Sequence, residues 1–427
     1  MFRPKQLREE SETIRASLKK RGQKPDRLDQ ALALDTERRD VIEQVEQLQQ
    51  RRNQESEKIG QLKAEGKDDE AEQIIDKMSE LKDTIQTLND RRDQLDQELQ
   101  NILLRLPNRL QDDVPQGETE SDNDEIERVG EPPDFSFEAK AHWQLADDLS
   151  MINMEQAQKI SGSRFSVYHE DGARLERALI NFMLDIQRKE NGYEEVMTPV
   201  LVREEVMEGT GQLPKFEQDM FKTDTDEFYL IPTAEVSLIN LYREMILDAG
   251  DLPIKKAAWT PCFRREAGAH GRDTRGLMRQ HQFNKVELVS ITTPEQSEAM
   301  HQEILTDAKS ILDRLELPYR TVILCSGDTG FAASKTFDLE VWLPGQQRYR
   351  EISSISNCLG FQARRARIQY RPEPKKTAVY CHTLNGSGVA IGRCWLAIVE
   401  NFQQEDGSIT LPDALRPYLD GQKSISS

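Results

Sequence analysis

Long hydrophobic runs are missing from these 427 residues, and no stretch reaches the ~20 apolar residues that a membrane-spanning helix needs. The opening MFRPKQLREESETIR is charged throughout and lacks the apolar core of a secretory signal, so a cytoplasmic protein is expected. Cysteine is sparse: Cys262, Cys325, Cys358, Cys381 and Cys394 are scattered with no C-x-x-C pair. That spacing argues against a disulfide scaffold and a zinc knuckle, leaving reduced, buried thiols and no zinc as the expectation. Positive charge is in deficit, 57 Lys and Arg against 76 Asp and Glu for a net −19. A chain of that sign does not wrap nucleic acid with its whole surface, so any polyanion must meet a local patch. Aromatic residues, 6% overall, nearly vanish from the first quarter, where Glu, Gln, Asp, Arg and Lys dominate. Two kinds of structure are joined in one chain long enough for two or three folding units.

What the first quarter does contain is a seam. Apolar residues recur at Leu34, Val41, Val45, Leu48, Ile59 and Leu62, then at Ile74, Met78, Leu81, Ile85, Leu88, Leu95, Leu99, Ile102 and Leu106. Steps of three, four and seven are coiled-coil steps. Between the two series AEGKDDEA, with Gly66, can reverse the chain, so residues 1–110 are predicted to form an antiparallel helical hairpin. Arg52 and Arg92 stand where the heptad calls for apolar residues, and Arg38, Arg39, Arg51, Lys58, Lys63 and Lys67 add cations along the first helix. Phosphate contacts and an ion-paired solvated surface are both open readings of that set. After Pro107 comes the acidic, Pro- and Gly-containing segment DDVPQGETESDNDEIERVGEPP, read as a linker over 111–135.

Residues 136–427 read as a compact α+β domain, an antiparallel sheet flanked by helices. GARLERALINFMLDIQRKENGY has helical spacing, with Leu175, Leu179, Phe182 and Ile186 on one face and Gly192 near its stop. KTFDLEVWLP alternates as a strand, and AAWTPCFRREA and LMRQHQFNKVELVSI read as two more, joined by the loop AGAHGRDTRG. Strand, loop, strand in direct succession favours a hairpin over a βαβ crossover, and no G-x-x-x-x-G-K-[ST] phosphate loop is present. Charged residues on these strands, Arg264, Glu266, Arg279, Glu287, Glu351 and Arg393, must be paired or bind a ligand if half buried.

Four segments carry chemistry: FRREAGAHGRDTRG, REISSISN, IPTAE and LNGSGVAIGR. Arginines neutralise phosphates, a carboxylate beside a hydroxyl can hold Mg²⁺, and further carboxylates can receive an ammonium group. Such a set suits a nucleoside triphosphate and a small zwitterion. Singly, each has a plainer reading: a cross-strand ion pair for Arg264 and Glu266, a solvated charge for Glu351, a turn for NGSG.

Taken in order, these segments resemble the class II aminoacyl-tRNA synthetases. The helix from Ala173 through YEEVMTPVL with Pro199, the Phe263-Arg264-Arg265-Glu266 segment continuing to Phe283, and GSGVAIGR ending in Arg393 match the three class II elements. TAE, EISS and the hairpin are similar to the seryl-tRNA synthetase family, bacterial type. The resemblance implies activation of L-serine by ATP and transfer to the 3′ end of tRNA(Ser), with tRNA(Sec) a second candidate. Arg264, Glu351 and Arg393 are then catalytic. Arg264, Arg265, Glu266, Phe283, Glu351, Ile352, Ser353, Ser354 and Arg393 form the ATP site, with Phe283 and Arg393 sandwiching the purine. Glu351 and Ser354 hold Mg²⁺ with ATP. Thr233, Ala234, Glu235, Arg264, Glu287, Asn385 and Ser387 form the serine site. A homodimer built around Pro199 and its helix, and a tRNA-gripping hairpin, are implied in the same way, as is closure of loop 268–276 through Arg272 and Arg275. Threonyl- and prolyl-type enzymes carry a C-terminal anticodon-binding domain, for which the ~34 residues after Arg393 are too few. Ligases that load carrier proteins lack the hairpin, and a non-catalytic scaffold leaves the intact Arg264, Glu351 and Arg393 without a use.

Overall fold

The structure, a computed structural model, describes residues 1–267 and 276–426. The chain divides into two compact units: Phe2–Lys19 with Gln23–Leu106, and Pro107–Ser427 with Met1 and Lys20–Gly22.

The first unit is dominated by two long helices, α1 (Asp26–Ala64) and α2 (Asp68–Leu103), which pack along each other. Three residues reverse the chain, and Gly66 takes φ +75°, the left-handed conformation glycine adopts without a Cβ penalty. The first turn of α2 carries Asp68, Asp69 and Glu70, which complement the positive end of its dipole. Val41, Val45 and Leu95 close a buried seam with Leu34 and Leu88 against it. Each such side chain contributes about 1.5–3 kcal/mol on burial. Arg38 with Asp96, and Arg91 with Glu37, tie one helix to the other. Arg52, by contrast, is exposed, so the seam passes it by rather than including it.

The second unit is built on an eight-stranded sheet. In chain order its strands are β1 (Asp124–Val129), β2 (Glu194–Glu195), β3 (Ile254–Phe263), β4 (Gln282–Thr292), β5 (Tyr319–Ile323), β6 (Lys335–Leu343), β7 (Arg348–Asn357) and β8 (His382–Ala390). Their spatial order is β1-β5-β6-β7-β8-β4-β3-β2, antiparallel throughout except for the β2–β3 edge. β3 and β4 form the expected hairpin, with Cys262 opposite Phe283 and Ala258 opposite Glu287.

The segment read as a linker contributes a strand. β1 pairs with β5 from Asp124 opposite Ile323 to Val129 opposite Tyr319. Its side chains are nearly all exposed, so it has no apolar alternation to announce it; backbone pairing and the ion pairs of Glu125 with Arg320 and Glu127 with Lys309 hold it.

Alternation along β4 decides where the site sits. Val286 and Leu288 face the main core, packed with α3 (Glu170–Lys189), α5 (Ser297–Arg314) and α7 (Ile391–Asn401). Val289 and Ile291 face the other side, against the short helices α4 (Glu235–Asn240) and α6 (Phe361–Ala366). Phe283, Lys285 and Glu287 share that second face by the two-residue period of a strand. All five cysteines are free and buried.

Candidate active site

On that face the sheet carries a cavity of about 370 Å³. Thr233 and Glu235 enter from the start of α4, Arg264 and Glu266 from the end of β3, and Phe283, Lys285 and Glu287 from β4. Glu351, Ile352 and Ser354 come from β7, Asn385 and Ser387 from β8, and Arg393 from the first turn of α7.

Two buried carboxylates, Glu235 and Glu287, line the cavity. Glu287 is paired with Lys285, Nζ to Oε2 2.6 Å, and the same Nζ donates to Thr233 Oγ1 at 3.0 Å. Glu235 Oε1 accepts from Gln362 Nε2 at 2.5 Å and from Asn385 Nδ2 at 2.9 Å. Gln362 is fixed in turn, its Nε2 on the Thr210 carbonyl and its Oε1 accepting from Thr383 Oγ1. Burial, then the nearby Glu287 charge, pushes the Glu235 carboxyl up to about 7. Burial also raises Glu287, against the pull of Lys285.

The cavity also carries arginines. Arg264 lies over the Phe283 ring, 5.2 Å from its centroid, with Nε on the Pro232 carbonyl at 3.3 Å. Its own backbone N–H donates to the His281 carbonyl, fixing the strand ends. Glu266, at φ +51°, meets Arg279 at 3.1 Å. Arg393 Nη1 lies 3.1 Å from Glu351 Oε2 and donates to the Glu351 carbonyl at 2.7 Å. That guanidinium holds the Glu351 carboxyl below its ordinary range.

A β-bulge between Ser387 and Ala390 shapes the floor. Val389 sits there at φ +91°, a conformation a β-branched residue adopts only under constraint. The bulge shifts the register by which β8 runs into α7, so Ser387 stands opposite Glu287 while Arg393 still reaches Glu351. Gly386 is needed for a different reason: a Cβ there would lie 2.7 Å from Ile304 Cγ2 on α5.

Of the residues singled out from sequence, Ala234, Arg265 and Ser353 do not line the cavity. Ala234 is packed in the small core, Arg265 is exposed, and the Ser353 hydroxyl donates to the Ser387 carbonyl at 2.5 Å. Arg272 and Arg275 lie outside the described residues. Lys285, Gln362, Arg279 and Asp338 were not singled out as site residues, although their roles here are structural to it. Asp338 stands opposite Ser354 in the register, hydrogen-bonds its side chain, and keeps Oδ1 buried without a partner among the described residues. Lys285 and Asp338 lie on readable strands, and a buried charge at a strand position was the available signal. Gln362 gives none.

An antiparallel sheet presenting arginines and buried carboxylates to one polar cavity is the architecture of a class II tRNA synthetase core. Residues 215–402 match the family model of the tRNA synthetase class II core domain (G, H, P, S and T), and residues 1–110 match that of the seryl-tRNA synthetase N-terminal domain. The chain is 53% identical over 395 residues to the serine-tRNA ligase of Syntrophomonas wolfei, covering 92% of each chain. It is 49% identical over 427 residues to that of Desulforapulum autotrophicum, covering 100% of this chain and 99% of the relative. The crystal structure of seryl-tRNA synthetase from Pyrococcus horikoshii complexed with ATP superposes with a TM-score of 0.94 at 36% identity, covering 100% of this chain and 99% of that one. The chain belongs to the seryl-tRNA synthetase family, the serine-tRNA ligases.

Proposed function

We propose that the cavity activates L-serine with ATP and passes the seryl group to the 3′ end of tRNA(Ser), and that the residues around it divide the work as follows. The observation that carries this reading is one cavity that gathers the carboxylates of Glu235 and Glu287 with the guanidinium groups of Arg264 and Arg393. Glu235 receives the serine ammonium, since the donors it has now are neutral amides. Glu287, Ser387, Asn385 and Thr233 surround the hydroxyl. A polar pocket of this kind rejects alanine, whose methyl leaves those groups unpaired, and rejects threonine by bulk.

Arg264 forks onto the α-phosphate, Glu266 meets the adenine amino group, and Phe283 and Arg393 take the two faces of the purine. The serine carboxylate attacks the α-phosphorus, the bond to the bridging oxygen breaks, and pyrophosphate leaves. A terminal ribose hydroxyl of the tRNA then attacks the carbonyl of the adenylate, and AMP leaves. Neither step requires a protein nucleophile, so positioning and charge neutralisation by fixed groups supply the acceleration.

Glu351 and Ser354 offer hard oxygen donors on one wall, and the unpartnered Asp338 Oδ1 behind Ser354 fits a nearby cation. Among the described residues no three His, Cys, Asp or Glu side chains converge. When bound there, Mg²⁺ would neutralise phosphate charge.

The domain reading follows the same lines: residues 1–110 as the tRNA-gripping arm and 136–427 as the catalytic body, with 111–135 joining them and lending that body its edge strand β1. Arg51, Arg52 and Lys58 are exposed on α1 and are the arm's phosphate contacts in this reading. tRNA(Sec) is a second substrate of the same arm. A homodimer is favoured by Met197, 86% exposed, with Leu201, Leu241, Met245 and Ile246 also exposed on neighbouring segments. Among the described residues no helix is long and apolar enough to cross a membrane, and we assign the reaction to the cytoplasm.

The test is ATP–pyrophosphate exchange by the purified protein with serine, and in parallel with threonine, alanine and cysteine. Exchange with serine alone is the expected result. Exchange with none of them overturns the reading.

A further inference from the structure

Behind the strand that carries Phe283 and Lys285 lies a second cavity, of about 210 Å³. Glu176 of α3 lines it and is only 7% exposed. Its Oε1 accepts from Asn284 Nδ2 at 3.0 Å. The amide of Asn284 cannot turn to give more, because its Oδ1 accepts from Trp259 Nε1 at 3.2 Å. Glu176 Oε2 is buried with no hydrogen-bond partner among the described residues. Gln280 is also committed, its Nε2 donating to Ser166 Oγ at 2.7 Å. A buried carboxylate with one oxygen unpaired is expensive to keep, and burial accordingly pushes Glu176 up to about 7.

Phe165, Tyr168, Ile160 and Phe283 supply apolar and aromatic wall, and Ser161, Ser166 and Gln282 also line the cavity. An acid beneath aromatic walls matches a flat cation that donates N–H to the acid and lays its ring on the walls. Nothing in serine activation as described uses Glu176. We propose that this cavity is a second ligand site, for a small planar cation of the amidinium or protonated amino-heterocycle class, with Glu176 as its anionic contact. Phe283, Gln280 and Gly392 line both cavities, so an occupant here touches the wall of the ATP pocket from behind. The site itself stands without the ATP reading; only that coupling rests on it.

The probe is benzamidine, compared with uncharged benzamide by calorimetry on the full-length protein, with AMP and serine present to fill the first cavity. One benzamidine per chain is expected, with benzamide weaker by about tenfold or more, the order of a lost charge-assisted hydrogen bond. Glu176→Gln, which can keep its bond to Asn284, should lose benzamidine by a similar factor while serine-dependent exchange stays within about twofold of the parent. Equal binding of the two probes by the parent protein overturns the proposal even if the variant does not fold. So do benzamidine binding that survives in Glu176→Gln, the absence of saturable binding, or its displacement by AMP and serine. Loss of exchange in the parent protein would count against the synthetase reading and leave this one untouched.

Discussion

Lys285 Nζ lies 2.6 Å from Glu287 Oε2, and this buried pair leaves Glu235, among the described residues, as the carboxylate of the pocket without a cation of its own. Two carboxylates with one ammonium between them have room for a second ammonium, and Glu235 is where it belongs.

The first prediction concerns pH. With its carboxyl at about 7, Glu235 in the free enzyme is protonated below that pH and cannot pair with an ammonium group. The KM for serine should therefore rise as pH falls below about 7, approaching tenfold per unit, with the KM for ATP changing less. Stability moves the other way. A carboxyl raised in the folded state stabilises the fold least above its folded pKa, so Glu235→Gln should raise the thermal midpoint by a few degrees at about pH 8 and hardly at about pH 5. A melting curve equally shifted at both would point to packing instead of charge.

Arg264→Lys tests the phosphate fork. The side chain has one backbone hydrogen bond, to Pro232, so the fold should survive. A lysine keeps the charge but not the bidentate geometry, and exchange should drop by about 10²–10³-fold, the usual loss for a removed transition-state donor. Unchanged exchange in a folded variant would remove Arg264 from the chemistry.

On the arm, the cations separate into two groups. Arg38 and Arg91 bind the partner helix, whereas Arg51, Arg52 and Lys58 are exposed. Reversing Arg51 and Arg52 to Glu should leave exchange intact, weaken tRNA binding, and lower the salt slope of that binding by about one per charge removed. Reversing Arg38 should instead lower the melting temperature of the arm. Equal tRNA affinity in the Arg51/Arg52 variant would move the contact elsewhere.

Met197 offers the test of assembly. Met197→Glu places a charge on an exposed apolar segment at no cost to the monomer. Sedimentation should show the parent as a dimer and the variant shifted towards monomer; a parent that sediments as a monomer refutes the assignment.

Much of this protein was legible before any coordinates. The arm is written in steps of three, four and seven, and those steps work locally, because a helix seam is fixed by neighbours within two turns. The β3–β4 hairpin and the polar composition of the cavity were readable for a similar reason, since alternation and charged strand positions belong to short stretches of chain. Other features are fixed only by contacts between distant segments. β1 is almost wholly exposed and became a strand because β5 offered it an edge. Ser353 was read with Ser354, but successive residues of a strand face opposite ways, and the register of β7 turned Ser353 onto the Ser387 carbonyl. Gln362 stands 127 residues from Glu235, and no spacing rule joins them. The sequence by itself determined the arm, the β3–β4 hairpin and which chemical groups are on hand; only the tertiary structure decided that β1 is a strand and which of those groups meet, because edge pairing, register, the bulge at Val389 and the packing of α6 are set by contacts that no local pattern records.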